Sequence, residues 1–187
     1  IEWEDKDGKK QSKEITLKKP STRISMRIRD LMMAEQASMD FASIFELLMD
    51  NVIVNPRLTY VDLNHNLPED LRYKTVDYKN VDGKDVTVKY VFSTFREAIT
   101  ESTSAQKANQ SLNMVGAMDL MLDSGVIRHK DGTKLSWDDF DNEYDGLIDD
   151  IFGDSQDFLT EGLANDGVMA TLFASFRVSQ DRLSKVR

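Results

Sequence analysis

Phe41-Ala42-Ser43-Ile44-Phe45-Glu46-Leu47-Leu48-Met49-Asp50-Asn51 runs directly into Val52-Ile53-Val54-Asn55-Pro56. Phe41, Ile44, Phe45, Leu48 and Val52 recur at helical spacing, while Glu46 and Asp50 fall off that face. The spacing predicts an amphipathic helix over about residues 39–51. Asn55-Pro56 then closes the unit, because a residue before proline is driven out of helical geometry.

Upstream, Pro20-Ser21-Thr22 offers a capping hydroxyl to another helix. Ile24, Ile28 and Leu31 lie at i, i+4 and i+7 and form its apolar stripe, with Arg23, Arg27 and Asp30 off it. Before that, residues 1–17 read as a hairpin. Ile1 and Trp3 alternate with acids, Asp7-Gly8 turns, and Ile15 and Leu17 alternate on the return.

Downstream, residues 57–72 show little periodicity and read as a connector. Residues 73–91 predict a second hairpin, with Tyr73, Val76 and Tyr78 leading in, Asp82-Gly83 turning, and Val86, Val88 and Tyr90 leading out. Thr94-Phe95-Arg96-Glu97 has the capping-box pattern of a helix start, and Ser102-Thr103-Ser104 breaks or kinks that helix. A helix over 105–123 carries Leu112, Val115, Met118 and Leu122 inward. Lys130-Asp131-Gly132-Thr133 separates Val126-Ile127 from Leu135 as a third small hairpin. Ser136 caps a further helix whose Trp137, Phe140, Tyr144, Leu147, Ile148 and Ile151 make one apolar face, and Gly153 ends it. A last helix holds Met169, Leu172, Phe173 and Phe176 and ends in cations that suit its macrodipole. The expected fold is α+β and predominantly helical, with small β-hairpins packed on a helical bundle. The expected division is a unit over 1–57 and one continuous region over 58–187.

Composition sets the class. The 187 residues are 40% hydrophobic and 30% charged, which suits a folded chain with its own core. There are no cysteines, so disulfides, thiolate catalysis and cysteine-bound zinc are all excluded. The net charge of −9 repels nucleic acid and anionic membrane. The longest mostly apolar run, Val168 to Phe176, falls far short of the ~20 residues a membrane span needs. The acidic, polar start does not read as a signal peptide.

Candidate chemistry is sparse. Asp138, Asp141, Asp145 and Asp149 lie at i, i+3, i+7 and i+11 of the expected helix and share a face. A straight face spreads carboxylates along a line, whereas a cation site needs them to converge, so this reads as a solvated face or a dock for a basic protein. Asp62-Leu63-Asn64-His65-Asn66 begins like a calcium loop, but Leu67 stands where glycine is required and Tyr73 where glutamate is, so it reads as an Asx-rich turn. His65 and His129 have no second ligand at metal spacing and read as surface histidines. No nucleophile elbow, phosphate loop or dinucleotide fingerprint occurs, and neither a catalytic site, a metal nor a cofactor is expected. Met26, Met32, Met33, Met39 and Met49 crowd the first two helices, and Met114, Met118 and Met121 a later one. Methionine suits surfaces that repack around partners, and adjacent Met32 and Met33 cannot both face one core.

Taken in order, the first ~57 residues resemble the N-terminal part of tail assembly chaperones of long-tailed bacteriophages. The matching pieces are the acidic hairpin with Trp3, Leu17-Lys18-Lys19-Pro20-Ser21-Thr22-Arg23, the helix ending Glu46-Leu47-Leu48-Met49-Asp50-Asn51, and Asn51-Val52-Ile53-Val54-Asn55-Pro56. The hairpin at 73–91 and the acidic C-terminal half lie outside the pattern. The resemblance implies a non-enzymatic protein of the host bacterial cytoplasm that binds the tape-measure and tail-tube proteins until the tail is built. Self-association, or arrays along the target, is expected from the same reading. Ile24, Ile28, Met32, Met33, Phe41, Phe45 and Met49 are its expected core and contact residues. Two other readings compete. One is a structural tail or connector component that stays in the virion. The other is an acidic inhibitor that mimics nucleic acid through the aligned aspartates.

Overall fold

The computed structural model describes residues 1–5, 7–33, 40–104 and 113–184. The chain is α+β and mostly helical, with small antiparallel sheets of two or three strands.

β1 (Glu2–Glu4) pairs with β2 (Lys10–Ser12), Trp3 opposite Gln11. The Asp5 carboxylate ties the turn by accepting from the Asp7 and Lys9 N–H groups at 3.0 and 2.9 Å and from Gln11 Nε2 at 2.7 Å. The expected return strand is different. Ile15 to Leu17 do not pair with β1; β3 (Thr16–Leu17) pairs instead with β4 (Ile53–Asn55), Leu17 opposite Ile53. The backbone emerging from the helix at 41–51 needs partners for its own polar groups, and β3 supplies them; the Lys18 N–H donates to the Val52 carbonyl at 2.8 Å. The Asn55–Pro56 peptide is cis.

Between these strands lie α1 (Thr22–Met33) and α2 (Phe41–Asn51). Ser21 Oγ accepts from the Ile24 N–H at 3.3 Å, the expected cap. Ile28 is fully buried, with Ile24 and Leu31 half-buried beside it. In α2, Ile44, Phe45 and Leu48 are buried and Glu46 and Asp50 exposed, as the spacing requires. Asp40 caps α2, its carboxylate accepting from the Ser43 N–H at 2.9 Å. Losing such a cap costs about 1 kcal/mol, so Asp40→Ala is expected to lower the unfolding free energy by that amount, moving the urea midpoint down without changing the slope of the transition.

Residues 57–72 are more ordered than their pattern suggests. α3 (Tyr60–Asn66) starts at Thr59, whose Oγ1 accepts from the Asp62 N–H at 3.1 Å. Asp62 to Asn66 are therefore helical, not an Asx turn. Leu63 and Leu67 are its inward residues, too few to register as a period. A single 3-10 turn (Glu69–Leu71) follows. β5 (Tyr73–Lys79) and β6 (Asp85–Val91) then form the expected hairpin, with Val76 opposite Val88 and Tyr78 opposite Val86. β7 (Ile127–His129) adds to the far side of β6, Tyr90 opposite Ile127, and folds back through an Arg128–Lys134 bridge.

α4 (Phe95–Ser104) starts at Thr94, which accepts from the Glu97 N–H at 3.2 Å. Asn64 on α3 shares the capping, its Oδ1 accepting from the Phe95 N–H at 2.7 Å. α5 (Met114–Ser124) turns Ala117, Met118, Met121 and Leu122 inward. Val115, expected inward, is 64% exposed, and Leu112 lies outside the described residues.

The expected helix over 136–153 is two pieces. α6 (Trp137–Phe140) ends after one turn, and α7 (Ile148–Ala164) begins after a loop. Gly146 takes φ +78°, a left-handed conformation that breaks the helix. The loop is pinned to the β5–β6 turn: the Val81 N–H donates to the Asp145 carbonyl at 3.2 Å, and Asn80 Nδ2 to the Glu143 carbonyl at 3.0 Å. Phe140, Tyr144, Leu147 and Ile151 still reach the core, because turns can deliver the same inward residues as a helix. Gly153 sits inside α7 rather than at its end. A corner at Asn165–Gly167 leads to α8 (Val168–Ser184).

One core spans the boundary at residue 57. Ile28, Phe45 and Leu48 share it with Ile99, Tyr90, Phe158 and Leu172. The sheet meets α7 through Tyr90 and Phe158, rings 6.0 Å apart, and through a polar bridge in which Tyr78 bonds to both Tyr90 Oη and the Asp154 carboxylate.

Candidate functional site

The methionines divide three ways. Met26 is 56% exposed and Met33 67%, and their i, i+7 spacing puts both on the outer face of α1. Met32 is half-buried and its sulfur accepts from Gln180 Nε2 on α8 at 3.0 Å. The adjacent pair thus splits between core and surface, as the sequence requires. Met49 is 5% exposed and packs inside the core, so it offers nothing to a partner; this corrects its place among the contact residues. Met39 lies outside the described residues.

The aligned aspartates are not aligned. Asp138 lies on α6, Asp141 and Asp145 in the loop, and Asp149 in the first turn of α7. All four are exposed, but the left-handed Gly146 interrupts the helix that would have put them on one face. The geometry that motivated a nucleic-acid mimic is therefore absent.

His65 is exposed, as expected, but His129 is half-buried in a polar cluster. Its Nδ1 lies 3.1 Å from Tyr144 Oη and its Nε2 3.4 Å from Asp139 Oδ2. Asp139 Oδ2 also accepts from the Ser136 N–H at 2.7 Å and Oγ–H at 2.8 Å. Burial raises the Asp139 carboxyl, but the two Ser136 bonds and the nearby imidazole outweigh it and hold the group below its ordinary value. In a nucleophilic triad the imidazole bridges hydroxyl and carboxylate. Here the carboxylate bridges hydroxyl and imidazole, so Ser136 has no base and the arrangement caps α6.

Among the described residues, no group of three or more His, Asp or Glu side chains is placed to hold a metal ion. No helix among them is long and apolar enough to cross a membrane.

Two surface features remain. The first is an apolar strip where α5 meets α6. Trp137 Nε1 donates to Asp119 Oδ1 at 2.8 Å, which lays the indole along α5. Val115, one turn before Asp119 on the same face, is exposed, and so is Met114 at the start of α5.

The second is a cleft of about 400 Å³ between the β1–β2 hairpin, the 3-10 turn and the α7–α8 corner. Trp3, Pro68 and Leu71 give it apolar walls, and Glu4, Asp5, Asp7, Asp70, Glu161 and Asp166 line it with carboxylates. Trp3 lies flat on Gly167, where a Cβ would come 2.6 Å from the indole, so the hairpin is seated on a residue that must be glycine. Asp166 pairs with Lys13 at 2.5 Å and Asp5 is spent on the hairpin turn. Among the described residues, Glu4, Asp7 and Glu161 have no ion pair. Sequence reading identified Trp3 as a hairpin residue but not the cleft, because its far walls come from positions about 65 and 160 residues further on.

Comparison with protein-family models, with curated proteins and with solved structures finds no match.

Proposed function

We propose that this chain is a non-catalytic tail assembly chaperone of a long-tailed phage, holding the tape-measure protein, the tail-tube protein or both in the host bacterial cytoplasm during tail assembly. The observation that carries this reading is the exposure of large apolar side chains, methionines among them, on two helical surfaces. Met26 and Met33 stand out from α1, and Met114, Val115 and Trp137 from the α5–α6 strip. Such surfaces grip apolar helix faces, and methionine adapts to more than one of them. The ordered resemblance of the first ~57 residues supports the same reading, and the net charge of −9 favours protein partners over nucleic acid. Several copies on one long target gain avidity without tight single contacts.

Co-expression of the tagged chain with the tape-measure and tail-tube proteins encoded beside it tests the proposal. Copurification of either, weakened about tenfold by Val115→Asp, is the expected result; that loss corresponds to about 1.4 kcal/mol of apolar contact. Failure to retain either protein overturns it. Recovery of the chain at stoichiometric amounts from purified virions would identify a structural tail component instead.

A further inference from the structure

We propose that copies of this chain bind one another head to tail, the basic outer face of α1 on one copy seating against the Trp3 cleft of the next. The proposal deepens the array reading above, and its test uses the pure chain, so it fails separately from the client reading.

α1 departs from the acidic character of the chain. From Lys18 to Met33 the chain carries Lys18, Lys19, Arg23, Arg27 and Arg29 against Asp30 alone, on a protein of net charge −9. Arg23, Arg27 and Arg29 are exposed, and among the described residues none pairs with a carboxylate. Arg23 and Arg29 flank the exposed Met26–Met33 stripe on either side. The face is thus apolar along its middle and cationic along its edges.

The cleft is its complement in both respects. Trp3 and Pro68 form an apolar floor, and Glu4, Asp7 and Glu161 stand around it as carboxylates without ion pairs among the described residues. An arginine laid over an indole gains a cation–π contact as well as charge pairing. The volume of about 400 Å³ has room for the tips of two long side chains, not for a helix, so α1 docks by its arginines and methionines.

The two surfaces do not meet within one molecule. Trp3 lies on Gly167, just before α8 starts, whereas the end of α1 meets α8 at Gln180 through Met32. From Val168 to Gln180 the helix rises about 18 Å. Unlike surfaces at separated places make a heterologous contact, which continues into chains or closed rings rather than stopping at a dimer. In this arrangement Met26 and Met33 are taken by the neighbouring copy wherever copies associate, and the α5–α6 strip that Val115→Asp probes is left for a client on every copy.

Sedimentation velocity of the pure chain at low ionic strength is the test. The weight-average mass is expected to rise with concentration beyond twofold and to fall back as salt is added. One triple variant, Arg23→Glu/Arg27→Glu/Arg29→Glu, removes the first surface; another, Glu4→Lys/Asp7→Lys/Glu161→Lys, removes the second. Each alone is expected to be monomeric, because like surfaces cannot pair. Mixed in equal amounts, they retain one intact cleft and one intact α1 face between them. The mixture is expected to associate again, because the intact cleft takes the intact α1 face and the reversed α1 face carries charge opposite to the reversed cleft. A second readout needs no charge reversal: in Trp137→Phe the remaining indole, Trp3, is expected to shift to the blue as concentration rises. A wild-type chain that stays monomeric, single variants that still associate, a mixture that remains monomeric, or Trp3 emission indifferent to concentration would each overturn the proposal.

Discussion

Raising the pH from 5 to 8 is expected to cost this protein about 2–3 kcal/mol of folding stability through one side chain, Glu101. Glu101 sits on α4 and is 3% exposed, and among the described residues its Oε2 has no hydrogen-bond partner. Burial pushes its carboxyl up from 4.5 to about 7; the Ser124 hydroxyl pulls the other way, and the charge of Glu97 adds to the rise. Between those two values the unfolded chain has released the proton and the folded chain still holds it. The folded state therefore binds more protons, and stability falls as pH rises through the window and levels off above about 7. The carboxyls of Asp5, Asp131 and Asp139 are held below their ordinary value, so their contributions are lost only when pH falls below about 4. The two sets act in separate ranges and place the stability maximum between about pH 4 and 4.5. Glu101→Gln keeps the shape and cannot ionise. Urea unfolding across this range should show the fall in the wild type and a nearly flat profile in the variant. A wild-type profile as flat as the variant's would mean that the buried carboxyl finds a partner or leaves the core.

What the sequence discloses here follows the range of the forces involved. α2, the β5–β6 hairpin and the start of α4 were legible because each is decided within a dozen residues, by a stripe, a glycine turn or a cap. The β3–β4 pairing was not, since two residues at 16–17 and three at 53–55 carry no signal of each other. Residues 137–151 mislead for a different reason. Phe140, Tyr144, Leu147 and Ile151 keep a helical period because they face one core, yet Gly146 breaks the helix between them. Periodicity reports which way side chains point; it does not report that the backbone between them is continuous. The aspartate stripe vanished with that helix. The Met32–Met33 argument survived because it rested on a local fact, that neighbours on a helix diverge by about 100°. The Trp3 cleft needed three distant segments to meet, and nothing in any one of them announces the others.

The same substitution at two glycines of α7 should change stability in opposite directions. In an open helix, Gly→Ala stabilises by up to about 1 kcal/mol by restricting the unfolded chain. Gly153 is exposed and a Cβ there would meet nothing within 4 Å, so Gly153→Ala should show that gain. Gly162 is buried against the sheet, where a Cβ would lie 2.3 Å from Phe92 Cε2 and 2.6 Å from Cδ2. Phe92 has little room to yield. It is 4% exposed, with Phe95 at 5.3 Å on one side and Phe158 at 6.3 Å on another. Overpacking of this kind costs about 1–3 kcal/mol and exceeds the helix gain, so Gly162→Ala should lower stability by about 2 kcal/mol. Phe92→Leu alone costs about 1 kcal/mol by leaving space. Together the two should cost less than their sum by about 1 kcal/mol or more, because the methyl enters the space the ring vacates. Gly162 is also the point from which α7 runs on to Thr160–Asp166's wall of the cleft, so forcing helix and sheet apart displaces Glu161 relative to Trp3. Self-association should weaken in Gly162→Ala and return in the double variant, while Gly153→Ala leaves it unchanged. Additive stabilities in the cycle would show that α7 and Phe92 do not press on each other, and that the packing of the sheet does not set the shape of the cleft.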